Sequence, residues 1–149
     1  MAGCRREGVQ LVSVEENKAV VRQYVEEGWN GHNPDVVDEV VSPDYFNHAA
    51  VPEHQRGIAG AKHILNWLMA AFPDTRFEIE DIIADGDMVA IRGTASGTHE
   101  GTELWGIPPT GKRFAVQQVH WFRVADGKIA EHWAVRDDLG AMRQLGAIL

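Results

Sequence analysis

Two Asp-Gly pairs, Asp85-Gly86 and Asp126-Gly127, each sit between runs that alternate apolar and polar residues. Asp-Gly suits a tight hairpin turn, because such turns need positive φ and glycine takes it without strain. The flanking runs, Arg76–Ala84 with Met88–Thr98 and Arg113–Val124 with Lys128–Arg136, therefore read as antiparallel strands. The preceding half has a helical period instead. Ser13 with Glu16 three residues on is a capping box, opening a helix whose apolar face carries Val21, Tyr24, Val25 and Trp29. Asn33-Pro34 starts a short second helix to about Val41, and "PDYFNHAA" after it reads as a short strand or extended segment. A third helix runs from about Gly60 to Phe72 through Ile64, Trp67 and Leu68, and Pro73 stops it. A last helical turn or two covers Leu139 to Leu145. Helices first and a strand meander after them predict an α+β fold, with N-terminal helices packed on one face of a curved, mainly antiparallel sheet.

No repeat or low-complexity segment divides the 149 residues, so 13–149 form one domain and 1–12 a flexible N-terminal tail. That tail lacks the apolar stretch of a secretory signal. A formal net charge of −8 argues against a nucleic-acid partner, which needs clustered Lys and Arg. No run of about 18 apolar residues is present, so no membrane span is expected. The single cysteine, Cys4, excludes an internal disulfide and points to a reducing cytoplasm.

Phe114, Val116, Gln118, His120, Phe122 and Val124 share one side of the third long strand. Gln118 and His120 interrupt an otherwise apolar face. Buried polar groups need partners, so the pair marks either a ligand pocket or a satisfied core histidine. What faces them depends on the turn at Asp126-Gly127. A two-residue turn sets His120 opposite Trp133. A three-residue loop, Ala125-Asp126-Gly127, sets His120 opposite His132 and Gln118 opposite Ala134.

The segments "FPD", "GDMVA", "GTHEG" and "GIPPTGK" in this order, followed by "FRVADGKIAEHW", resemble the SnoaL-like polyketide cyclase family over nearly the whole chain beyond residue 12. The resemblance implies a cone-shaped α+β barrel of the nuclear-transport-factor-2 type with a hydrophobic pocket between helices and sheet. It also implies an intramolecular aldol condensation without metal or cofactor. In those cyclases a pocket Asn is matched by Asn47, and a Gln-x-His pair by Gln118 and His120. Their acid/base Asp follows the last-strand Trp, where this chain has Ala134. The alignment favours the three-residue loop, which brings Ala134 into the pocket beside Gln118.

The expected catalytic set is thus His120, Gln118, His132 and Asp137. His120 serves as base or acid, the amide holds an oxygen, His132 orients or relays, and Asp137 reaches the pocket mouth. For Asp137 the competing reading is a solvated strand end, with Asp138 as N-cap of the last helix. Asn47, Trp105, Phe114, Phe122 and Ala134 are the expected substrate-binding residues. "GIPPTGKR" fits the spacing of a phosphate loop, but Pro108 and Pro109 remove two N–H donors and Arg113 stands where Ser/Thr would hold magnesium. It reads as a rigid turn at the rim, with Trp105 and Ile107 as lining or lid. None of the seven histidines has metal-ligand spacing, and no metal or cofactor is expected. His99 and Glu100 read as a strand-end bend or a pocket-mouth contact.

The expected function is a polyketide cyclase-like enzyme acting on a polycyclic aromatic keto-ester. The alternatives are hydroxylation of a polyketide in the same pocket and a non-catalytic small-molecule-binding module. On the sheet's other face Val119, Trp121, Ile129, Trp133 and Val135 would form an apolar patch large enough to require cover, predicting a homodimer.

Overall fold

The computed structural model describes residues 4–148. Helix α1 (Cys4–Gln23) continues into a π-helical stretch, Tyr24–Asn30. Ser13 therefore lies inside a helix that begins upstream and does not cap it, and residues 4–12 of the expected tail have helical backbone. Residues 1–3 of that tail lie outside the described residues. The wider π turn carries Tyr24, Val25 and Trp29 inward, and Trp29 Nε1 donates to Thr75 Oγ1 at 2.9 Å. Asn33 begins the next element as expected, its side chain accepting from the Asp35 N–H. A 3-10 turn (Pro34–Val36) runs into helix α2 (Val37–Val40), then strand β1 (Val41–Asn47). Helix α3 (Gly57–Ala71) packs against β1.

Strands β2 (Arg76–Asp85), β3 (Met88–Thr98), β4 (Arg113–Ala125) and β5 (Lys128–Arg136) form the meander, and helix α4 (Asp138–Gln144) follows. The sheet order is β1-β5-β4-β3-β2, with β1 parallel to β5 and every other pair antiparallel. The sheet stays open, with β1 and β2 as edges, in the cone-like α+β arrangement anticipated. Its inner face supplies Phe77, Val89, Ile91, Phe122, Val124 and Ile129 to the core, and α1 and its π-helical extension add Val21 and Val25.

The turn between β4 and β5 corrects the expected register. Asp126 and Gly127 both have positive φ, 51° and 75°, and Ala125 pairs with Lys128, which is a two-residue type I′ turn. The extra residue lies in the strand. Val124 pairs with Ile129 but Arg123 pairs with Glu131, leaving Ala130 unpaired in a β-bulge. Ile129 and the small Ala130 are both buried, so two successive apolar residues turn inward. Beyond the bulge the faces are those of the three-residue loop: His132 and Ala134 inside, Trp133 outside. The partners are displaced by two residues: Gln118 opposite Arg136, His120 opposite Ala134, Phe122 opposite His132. Ile129, expected outside, belongs to the core at 1% exposure.

On the outer face Ile83, Ala90, Trp121 and Trp133 form one row across β2 to β5. His48 stacks on Trp133 at 4.8 Å, its Nε2 meeting Glu131 at 2.9 Å. Arg123 also bonds Glu131, at 2.7 Å. Trp121 is 40% exposed and Val135 66%.

Candidate active site

Between α3, the π-helical stretch, α4 and the inner sheet face lies a cavity of about 380 Å³. Most of its wall is apolar, including Tyr24, Trp29, Leu65, Trp67, Phe114 and Phe122. Four buried polar side chains line it: Asn47, Gln118, His120 and His132. The register explains their meeting. Gln118 and His120 are two apart on β4, His132 is the diagonal cross-strand neighbour of His120, and Asn47 pairs with His132 across the parallel β1–β5 ladder.

These side chains are hydrogen-bonded in series. His120 Nε2 lies 2.8 Å from Gln118 Oε1, and His120 Nδ1 lies 2.8 Å from His132 Nε2. His132 Nδ1 lies 3.1 Å from the Tyr45 hydroxyl, behind the cavity wall. Rings enclose His120: Trp29 and Phe77 present their edges to it at 6.1 and 5.3 Å, and Phe122 stacks alongside at 6.2 Å. This dry shell disfavours imidazolium, so burial, helped by the Arg136 charge, lowers the His120 pKa to about 3. Burial and then His120 push His132 well below its ordinary range too. Burial raises the Tyr45 phenol well above its ordinary value and the Tyr24 phenol to about 12. At physiological pH the series is therefore neutral. Asn47 Oδ1 accepts from the Ala49 N–H at 2.9 Å, which leaves its NH2 as the free end of that amide.

Trp105 lines the cavity mouth, 67% exposed, with φ of 48° and its ring 6.0 Å from Trp67. Leu104 beside it is lining as well, whereas Ile107 only bridges back to Leu104. His99 turns out to be the root of this loop: it is buried, with Nε2 2.8 Å from the Thr102 carbonyl oxygen, and is not part of the cavity wall.

Two of the expected residues are placed differently. The Asp137 carboxylate accepts from the Gly140 N–H at 2.8 Å as N-cap of α4 and does not line the cavity. A strand that ends just before a helix needs a cap at that point, and the cap claims the side chain. The carboxylate at the mouth is that of Asp138, paired with Arg136 at 3.4 Å, and both line the cavity. Ala134 is on the inner face opposite His120, half-buried, without forming part of the cavity wall. Tyr24, Tyr45, Arg136 and the stacked pair His54–His63 (ring centroids 3.5 Å apart) were not anticipated at the site. For Tyr45 a signal existed, since it alternates with Asn47 on one strand. For His54 none did, because a 3-10 turn (Pro52–His54) delivers it.

Among the described residues, no cluster of three or more His, Cys, Asp or Glu is arranged to hold a metal ion, and no helix is long and apolar enough to cross a membrane. An α+β cone with an aromatic cavity floored by neutral, hydrogen-bonded polar groups is the layout of a small-molecule pocket protein. The chain belongs to the SnoaL-like polyketide cyclase family, whose sequence model matches residues 19–145. It is 38% identical over 121 residues to the nogalonic acid methyl ester cyclase of Streptomyces nogalater, covering 79% of this chain and 89% of that one. It is 35% identical over 131 residues to the aklanonic acid methyl ester cyclase DnrD of Streptomyces peucetius, covering 85% and 88%. Among solved structures, TsrD from Streptomyces laurentii superposes with a TM-score of 0.82 at 29% identity, covering 90% of this chain and 97% of that one.

Proposed function

We propose that the protein is a polyketide cyclase that closes a ring in a polycyclic aromatic keto-ester by cofactor-free intramolecular aldol condensation. The observation that carries this reading is the buried Gln118–His120–His132 series on the floor of an otherwise apolar, aromatic cavity. The two ester cyclases that the chain resembles supply the substrate class.

An aldol closure removes a proton beside one carbonyl, and the resulting enolate attacks another. Negative charge gathers on oxygen at each stage, and donors aimed at that oxygen lower the barrier. The NH2 groups of Gln118 and Asn47 and the ring of His120 are donors on the cavity floor. A neutral imidazole polarises a carbonyl without placing a cation in the dry cavity. His132 orients His120. With Ala134 at the position of the family's acid/base Asp, proton removal falls to Asp138 at the mouth, held by Arg136. Trp67, Trp105, Phe114 and Phe122 provide faces for stacking on fused rings.

The test is turnover of nogalonic acid methyl ester by the purified protein and by His120→Ala, Gln118→Ala and Asp138→Asn. Losses of roughly 10²-fold or more in kcat for the first two, with the fold retained, fit the removal of donors that act on developing charge. Near-normal turnover in either would return that residue to a structural role, and unchanged turnover in Asp138→Asn would remove Asp138 as the base.

The outer sheet face suits a homodimer, since Trp121, Trp133 and Val135 form an apolar strip edged by Arg92 with Asp81 and by Arg123 with Glu131. A cytoplasmic setting fits a single cysteine.

A further inference from the structure

Tyr45 lies outside the cavity wall, so it has no place among groups that meet substrate. It is 3% exposed, and its hydroxyl has one hydrogen-bond partner among the described residues, His132 Nδ1. A buried phenol O–H needs an acceptor, so this hydroxyl donates and His132 Nδ1 carries a lone pair. The remaining directions follow one by one. Neutral His132 then bears its proton on Nε2 and donates to His120 Nδ1. Neutral His120 in turn bears its proton on Nε2 and donates to Gln118 Oε1. The amide oxygen is now engaged, so the Gln118 NH2 is left for the cavity. Reversing the series would make Tyr45 an acceptor and leave its own proton unpaired in the core, a bias of roughly ten- to a hundredfold against the reversed form.

We propose that Tyr45 is a positioning residue: by donating to His132 Nδ1 it sets the direction of the whole series and presents His120 to the substrate as an N–H donor, not as a base. Both nitrogens of His120 are already engaged. A carbonyl or enolate oxygen therefore binds by displacing the Gln118 oxygen from the His120 N–H, which turns a resting contact into a donor for developing charge. No proton needs to leave Tyr45 for this, and the phenol stays intact through the cycle. The tautomers rest on the hydrogen-bond geometry and on the burial of both rings, whereas the catalytic consequence rests on the cyclase reading above.

Two-bond ¹H–¹⁵N correlation on the full chain with ¹⁵N-labelled histidine reads the tautomers directly at pH 7. His120 and His132 are both expected neutral and Nε2-protonated, and an Nδ1–H form of His132 in the unmodified protein would overturn the proposal without any variant. Tyr45→Phe should populate the Nδ1–H tautomer at His132 and His120. It should also lower kcat on nogalonic acid methyl ester about tenfold while KM changes little. Unaltered tautomers in a folded Tyr45→Phe protein refute the positioning role. Tautomers as stated, shifting in the variant, with no keto-ester turnover in either protein, uphold the lock and count against the cyclase reading instead.

Discussion

Lowering the pH from 7.5 to 5 should destabilise this protein through two buried histidines of the cavity floor. His120 has an ordinary pKa of 6.5 in the unfolded chain and about 3 in the fold. Between those values the unfolded chain binds a proton that the native protein refuses, so acid favours unfolding. The contribution is complete above about pH 6.5 and falls by 1.36 kcal/mol for each unit below it. At pH 5 His120 alone has cost about 2 kcal/mol, and His132, shifted the same way by burial, adds to it. Against a total stability of roughly 5–15 kcal/mol for a domain, that is a large share. The carboxylates held below their usual range, Asp74, Glu80 and Glu131, lose their contributions only at lower pH, so a scan that stops at pH 5 leaves them out. Urea unfolding at one protein concentration at pH 7.5, 6.5, 5.5 and 5.0 measures the slope. His120→Gln is the informative variant, because glutamine can accept from His132 and donate to Gln118 yet never ionises. Its loss on acidification should be smaller than that of the parent by about 2 kcal/mol. Equal pH dependence in the two proteins, or none in the parent, would show that His120 is not held neutral by the fold.

Ala134→Asp would put a carboxylate cross-strand from His120; the expected result is faster cyclisation of a family-type keto-ester with a fold weakened by about 1–3 kcal/mol, read by kinetics and urea unfolding. Slower turnover in the folded variant would count against a missing base at that position. Trp121→Glu sets a charge in the outer row, and light scattering at micromolar concentration should show a dimer become a monomer; a monomeric parent would end the dimer reading. Asp137→Ala removes the cap of α4 and should lower stability by about 1 kcal/mol with turnover nearly unchanged, whereas a large loss of kcat would restore a catalytic part for Asp137.

Local chemistry is enough to write down the four long strands, because alternation, Asp-Gly turns and pleat are all properties of neighbouring residues. It also isolates Gln118 and His120, since two polar residues on one apolar strand face need no knowledge of what lies opposite. The helices are nearly as legible, though Ser13 was misleading: a capping box is only a local preference, and the helix around it starts at Cys4. Register is another matter. Where the extra residue of a hairpin goes, into the turn or into a bulge at Ala130, depends on which side chains the far wall of the core accommodates, and Ile129 and Ala130 both proved to face inward. That choice brought Ile129 to the inner face and, beyond the bulge, moved the β4–β5 partners by two residues while preserving their faces. It is why His120 and His132 share a cavity and yet are not opposite one another. Arg136 and Asp138 became the mouth, and Asp137 a cap, for the same reason. Tyr45 and Asn47 reach the last strand through a parallel pairing that spans most of the chain, and no local pattern encodes such a contact. The protonation of His120 belongs wholly to the tertiary structure, since it is the dry ring of Trp29, Phe77 and Phe122 that makes the imidazolium costly.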